Sequence, residues 1–234
     1  MILITVTDVQ QAEGSRGKFL ITVKLSSAEH EEVRTFTVFR YFLKNPVFGG
    51  EVPEVGDFLS AERYEALEFA EACSQAAVKA VSLLAFGDNT ARKLTDKLRQ
   101  KGFSREAAAE AVRFCVERRY IDEEDQLRRL MEQRCERKKY GLRRIKQEVY
   151  TKGFSEETVK AVFEETAASL DFDAAVYDRV KKLGAAAFAT PQAKKRQVAS
   201  LLRYGFSMEE INRALKSMHL ESECCEAYGD TDQE

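Results

Sequence analysis

Apolar residues alternate with polar ones in three short runs near the start of the chain: Ile2, Ile4, Val6; then Phe19, Ile21, Val23, Leu25; then Phe36, Val38. Successive side chains of a strand point to opposite faces, so this period of two predicts strands in "MILITVTDVQ", "KFLITVKL" and "VRTFTVFRYFL", joined through "QQAEGSRG" and "SSAEHEE". A meander this small buries too little to hold alone and is expected to pack on the first helices. "PVFGGEVPEVGD" follows with two of the three prolines and three glycines, which predicts a turn-rich hinge into helical territory.

Beyond that hinge the period changes to i, i+3, i+4, the mark of helices with one buried face. The tripeptide Gly-Phe-Ser occurs at Gly102, Phe103, Ser104, again at Gly153, Phe154, Ser155, and again at Gly205, Phe206, Ser207, with gaps of 51 and 52 residues. Glycine closes a helix by adopting the left-handed conformation, and serine is a preferred N-cap, so the tripeptide predicts a helix stop and a helix start. With serine as the cap, each phenylalanine can staple onto the residue four positions after the serine: Ala108, Val159 or Ile211. An acid follows at the second helical position (Glu106, Glu157, Glu209), where it meets the positive end of the helix dipole.

The stripes after the caps stay in phase: Ala108, Ala111, Val112; Val159, Ala161/Val162, Phe163; Ile211, Ala214, Leu215. Upstream helices supply Leu94 and Leu98, then Leu142, Ile145 and Val149, then Val198, Leu201 and Leu202. A further helix precedes each pair, with Val81, Leu84 and Ala85, then Leu127, Leu130 and Met131, then Val176, Val180 and Leu183 as its apolar positions. Asp122 before Glu123 and Glu124 is the expected N-cap of the second of these. The fold expected is therefore mainly α: three tandem three-helix repeats stacked into an elongated curved array behind a small N-terminal β-strand module. The expected division is a β module over 1–60, repeats over 61–118, 119–168 and 169–218, and an acidic, disordered tail over 219–234.

The charge distribution changes this picture. Net charge over the 234 residues is only −2, but Glu51–Glu71 holds seven acids against Arg63 alone, and Gln126–Lys152 holds ten bases against three acids. Pairing cannot neutralise such a segment, so the second repeat is expected to present a basic surface to an anionic partner, either phosphate or an acidic protein face. Arg134, Lys138, Lys139, Arg143, Arg144 and Lys146 are the expected contacts, on the premise that they point to solvent.

Enzyme chemistry finds little support. His30 and His219 are the two histidines, and the chain has no HExxH, GxSxG, Walker loop or GxGxxG. His219 with Cys224 and Cys225 matches no usual zinc spacing. No catalytic residue, metal or cofactor is expected. Five scattered cysteines, the lack of a long apolar run and the lack of a leader predict a cytoplasmic protein with no membrane partner.

"AVSLLAFGDNTARKLTDKLRQKGF", "RRYIDEED" and "YGLRRIKQEVYTKGFS" resemble the signature segments of the RecX family of bacterial RecA regulators. The resemblance lies at Ala80, Leu83, Leu84, Ala85, Leu94, Lys97, Leu98, Lys101 and Gly102; at Tyr120, Ile121 and Asp122; and at Gly141, Arg144, Ile145, Gln147, Glu148, Lys152 and Gly153. The N-terminal strands and "VPEVGDFLSAERYEAL" are similar to the leader of the longer, Firmicutes-type members. Departures are Lys93 in place of the usual Glu, Gln126 in place of Phe, and Leu130 where an aromatic is frequent.

The resemblance implies a non-enzymatic monomer that lies along the RecA–DNA filament, suppresses ATP hydrolysis and strand exchange, promotes filament loss, and so tunes recombination and the SOS response. Single- or double-stranded DNA is a further partner in this picture. The rival reading is a helical-repeat protein that binds nucleic acid directly and affects recombination by competing for DNA.

Overall fold

The computed structural model describes residues 2–14 and 17–219, and is mainly helical with one small sheet. It forms two compact units, Met1–Asp122 and Glu123–Glu234. The acidic terminal stretch, with Cys224 and Cys225, lies outside the described residues.

In the first unit β1 (Leu3–Gln11), β2 (Lys18–Ser26) and β3 (Glu31–Phe39) form an antiparallel meander in that order. The register sets Val6 opposite Val23 and Ile21 opposite Phe36. These four, with Ile4 and Val38, make the buried face. Ile2 is exposed instead, because it precedes the first paired residue. The third strand also stops short of the expected Leu43. Its partner β2 runs out at Lys18, opposite Phe39, and Arg40–Leu43 turns into a 3-10 helix that still buries Phe42 and Leu43.

The predicted hinge is a packed segment. Val6 N donates to Asp57 O, Gly56 N to Val6 O and Leu59 N to Ile4 O, each at 2.9 Å, so the segment closes the free edge of β1. The opposite edge is closed by α1 (Ala61–Ala85): Glu71 accepts from Thr37 N and Ser74 from Phe39 N, both at 2.9 Å. An unpaired edge is a template for aggregation, and here the β1 edge is paired by the segment before α1 and the C-terminal part of the β3 edge is met by α1. Arg34 of β3 pairs with Glu68 and Glu71, which ties the sheet to the same helix face.

The buried stripe of α1 is Leu67, Ala70, Cys73, Ala77 and Ala80, and the expected Val81 and Ala85 are exposed with Leu84 half-buried. Ala85 is the last residue of the helix; for Val81 the reason is steric. Small residues let α1 approach α3 (Arg105–Glu117), which also presents alanines, Ala107, Ala108 and Ala111. Leu94 and Leu98 of α2 (Ala91–Gln100) complete this core, which the sheet and the three helices share.

In the second unit α4 (Glu123–Glu132) runs into a π-helical turn, Gln133–Arg137, and is followed by α5 (Leu142–Lys152) and α6 (Glu156–Ser169). A second three-helix set comprises α7 (Phe172–Leu183), α8 (Pro191–Arg203) and α9 (Met208–Ser217). One core serves both sets: Met131, Ile145 and Phe163 lie in the same cluster as Val176, Leu201 and Ile211. Leu183 is exposed because α7 ends there, at Gly184, and Ala161 is exposed because Val162 and Phe163 carry the stripe.

The Gly-Phe-Ser expectation holds in all three copies. Ser104, Ser155 and Ser207 accept from Ala107 N, Thr158 N and Glu210 N, at 3.1 to 3.2 Å. The preceding glycines have φ of +94°, +71° and +91°. Ser207 adds a full capping box, since Glu210 accepts from its amide at 2.7 Å. At α6 the reciprocal carboxylate comes from another helix: Glu123, first residue of α4, accepts from Ser155 N at 3.0 Å.

Candidate partner-binding surface

The six cations singled out from the sequence fall on the π turn and its exit loop and on α5. A π turn places one more residue per turn than an α-helix, and Lys139 leaves it with φ +54°, a left-handed conformation rare for a side-chain-bearing residue. The chain thereby reverses at Tyr140, and α5 starts at the cap Gly141.

Three of the six are held by neighbours. Arg134 forms a two-pronged pair with Glu148 across the reversal, Nε to Oε2 at 2.7 Å and Nη2 to Oε1 at 2.6 Å. The hydrogen bonds of Arg134 hold the Glu148 carboxyl below the ordinary carboxylate range, and the Arg134 guanidinium is raised in turn. Lys139 pairs with Asp178 of α7 at 2.7 Å. Arg144 lies over the Tyr140 ring, 4.1 Å from its centroid, and reaches the Tyr204 ring at 5.2 Å. Planar guanidinium on an aromatic face is a favourable contact, and its charge is thereby turned inward.

The other three, Lys138, Arg143 and Lys146, are exposed and enter no ion pair among the described residues. Arg137 has the same character. The premise that the whole set points to solvent therefore holds for half of it. The reason is that three-dimensional proximity supplies Glu148, Asp178, Tyr140 and Tyr204 as partners, none of which local charge counting identifies.

Two further basic residues belong here. Arg203, the last residue of α8, is exposed, and its carbonyl accepts from Arg144 Nη1 at 3.4 Å. Arg179 of α7 lies over the other aromatic of the pair, Tyr204, and donates to Lys138 O and Lys139 O at 3.1 and 3.4 Å, covering the carbonyls left open by the reversal. The signal in the sequence was the third repeat's Tyr204, standing where the first two copies have Lys101 and Lys152. The aromatic provides a platform for arginines from two other helices.

The first helix pair of the second unit is thus locked to the second, and the exposed cations of the exit loop, α5 and the end of α8 are Lys138, Arg143, Lys146 and Arg203, with exposed Glu136 in the π turn. Such a surface can hold an extended anion by charge and by arginine hydrogen bonding. It offers no anion-binding helix end, because the amides of Gly141 and Arg143 at the start of α5 already donate to Tyr204 O and Gly205 O, at 2.9 and 3.2 Å. Among the described residues no group of three or more His, Cys, Asp or Glu could hold a metal, and no helix is long and apolar enough to cross a membrane.

Residues 76–115 match the family model described as "RecX, first three-helix domain". A regulatory protein RecX of Vibrio vulnificus is 31% identical over 136 residues, covering 58% of this chain and 88% of that protein. The chain belongs to the RecX family. A regulatory protein RecX of Caldanaerobacter subterraneus subsp. tengcongensis is 29% identical over 169 residues, 69% of this chain and 80% of that one. The fold is that of solved RecX structures: a crystal structure of regulatory protein RecX aligns with TM-score 0.68 at 15% identity over 91% of this chain and 99% of the other. RecX from Lactobacillus salivarius aligns with TM-score 0.56 at 19% identity over 65% and 99%.

The residues that carry the RecX resemblance have structural work in this molecule. Gly141 touches the Gly205 turn, Arg144 stacks on two tyrosines, Ile145 is buried, Glu148 holds Arg134, and Gly153 closes α5 in the left-handed conformation.

Proposed function

We propose that this protein is a regulator that binds the RecA–DNA filament and inhibits its ATPase and strand exchange, tuning recombination and the SOS response. The proposal rests on membership of a family whose relatives are named regulatory proteins, and on the cationic face of the second unit. In this proposal Lys138, Arg143 and Lys146, with Arg203, make the contacts to acidic protein or DNA phosphate. Arg134, Lys139 and Arg144 hold the loop and helix that present them. Within Gln126–Lys152, ten bases stand against three acids, so local attraction favours an anionic partner at this segment.

The test is RecA ATPase on single-stranded DNA at fixed moderate salt, with this protein titrated far below one copy per recombinase protomer. Strong inhibition at that ratio supports action on the filament. Inhibition that sets in only when the protein covers the DNA overturns it in favour of competition for phosphate, the direct nucleic-acid-binding reading.

A further inference from the structure

The first unit carries a cleft of roughly 570 Å³, within the range of ligand pockets. Its lining is aromatic in Phe39, Tyr41, Phe114 and Tyr120 and aliphatic in Ala77, Val78 and Val81 of α1. Arg40, Lys44 and Arg118 also line it and enter no ion pair among the described residues, while one carboxylate, Glu117, accepts a hydrogen bond from Tyr41 of the lining from outside the cleft. Val78 and Val81 are 56% and 41% exposed, so the aliphatic part of the lining is open to solvent. Exposed apolar surface gathered in a cleft marks an interaction site.

We infer that this cleft docks a short acidic segment of a partner protein that carries one bulky apolar anchor residue. The cations select an anion, and the valines select an apolar side chain beside it. Nucleic acid fits less well. Stacking needs open ring faces in succession, whereas Phe114 already stacks on Phe39 at 6.2 Å, takes the edge of Tyr41 at 5.0 Å and lies under the Arg118 guanidinium at 5.6 Å. Tyr120 alone keeps half its surface open, and the sugar-phosphate chain gains nothing from Val78 and Val81. An aromatic and arginine-rich pocket with an aliphatic part to its lining is the composition of protein-binding hot spots.

This site is separate from the cationic face of the second unit and does not depend on the role proposed for it. The experiment is fluorescence anisotropy of the full chain with a labelled peptide of aspartates flanking one phenylalanine. Binding is expected to weaken at least tenfold in Arg118→Glu and, separately, in Val81→Asp. Replacing the peptide's phenylalanine with alanine is expected to reduce binding as strongly. Both substitutions are at exposed positions, so the thermal melt is expected to stay within a few degrees of the parent. Charge reversal at Lys138 and Arg143 is expected to leave peptide affinity unchanged. No binding, or binding indifferent to both cleft substitutions, overturns the inference. Oligothymidylate binding that both substitutions weaken, with the peptide inert, reassigns the cleft to single-stranded nucleic acid.

Discussion

Gly141 and Gly205 touch backbone to backbone: a methyl group on Gly141 would sit 2.3 Å from the carbonyl carbon and oxygen of Gly205, and one on Gly205 would sit 2.4 Å from Arg144 N. The two glycines are needed for different reasons. Gly141 has φ −78°, open to any residue, so proximity alone demands glycine there. Gly205 has φ +91° as well as the contact, so it meets both demands. The result is that the closing turn of α8 supplies carbonyls to the opening amides of α5, which would otherwise lack partners.

Gly141→Ala is therefore expected to cost about 2–4 kcal/mol, since backbone must move and two hydrogen bonds lengthen. Gly102→Ala is the control: its φ is +94° but nothing lies within 4 Å, so about 1 kcal/mol of backbone strain is expected. Urea unfolding midpoints measure both. Equal costs would mean that the joint yields easily and that glycine at 141 is incidental.

Arg143 and Arg144 are adjacent in sequence and opposite in role. Arg144→Ala removes a guanidinium from two tyrosine faces and is expected to destabilise by about 1–2 kcal/mol. Arg143→Ala is expected to stay within about 0.5 kcal/mol, as an exposed side chain with no partner. In the RecA ATPase assay the order reverses if the proposed surface is right: Arg143→Glu with Lys138→Glu weakens inhibition at unchanged stability. A double reversal that inhibits as well as the parent removes this face from the mechanism.

The local grammar was legible in the sequence because it is local. Each Gly-Phe-Ser cap spans a few residues, and the alternation at Val6, Val23 and Phe36 needs only the chain's own period. In α1 the expectation fails at Val81 because hydrophobicity alone ranks valine above alanine, and at Ala85 because the helix ends there. Close packing on Ala107, Ala108 and Ala111 instead favours the smaller residues of the helix. The turn-rich segment before α1 is legible but its packing on the sheet is not, because turn composition does not tell whether a turn folds back on an edge strand, as Asp57 and Leu59 do on β1. At the basic surface, charge counting located the segment but not the division within it. Glu148 lies fourteen positions from Arg134, and Asp178 and Tyr204 lie in the next helical set.

The described cysteines are expected to be chemically silent. Burial pushes the thiol of Cys73 up to about 12 and those of Cys115 and Cys135 to about 11, so the reactive thiolate is scarce at neutral pH. Peptide mapping after iodoacetamide treatment of the native chain is expected to find all three unmodified, and to find them labelled in urea. Rapid labelling of Cys73 in the native state would show that α1 opens away from α3 and the 3-10 segment without global unfolding.

The Arg134–Glu148 pair makes a prediction in pH. Both side chains are less than a third exposed, at 19% and 26%, and the carboxyl is held below its ordinary value of 4.5, first by its hydrogen bonds to Arg134. A depressed folded-state value means that the ionised form favours the folded chain. The contribution is complete above the ordinary value and is lost as pH falls through the lower, folded one. Glu148→Gln keeps the shape but removes the charge, and is expected to cost about 1–2 kcal/mol at pH 7. Other carboxylates titrate in the same range, so the informative quantity is the gap in urea midpoint between parent and variant. That gap is expected to stay constant from pH 8 down to about pH 5 and to shrink below about 4.5, because protonated Glu148 then resembles the amide. A gap that stays constant below pH 3 would mean that Glu148 acts through shape and packing and that its charge does not hold Arg134.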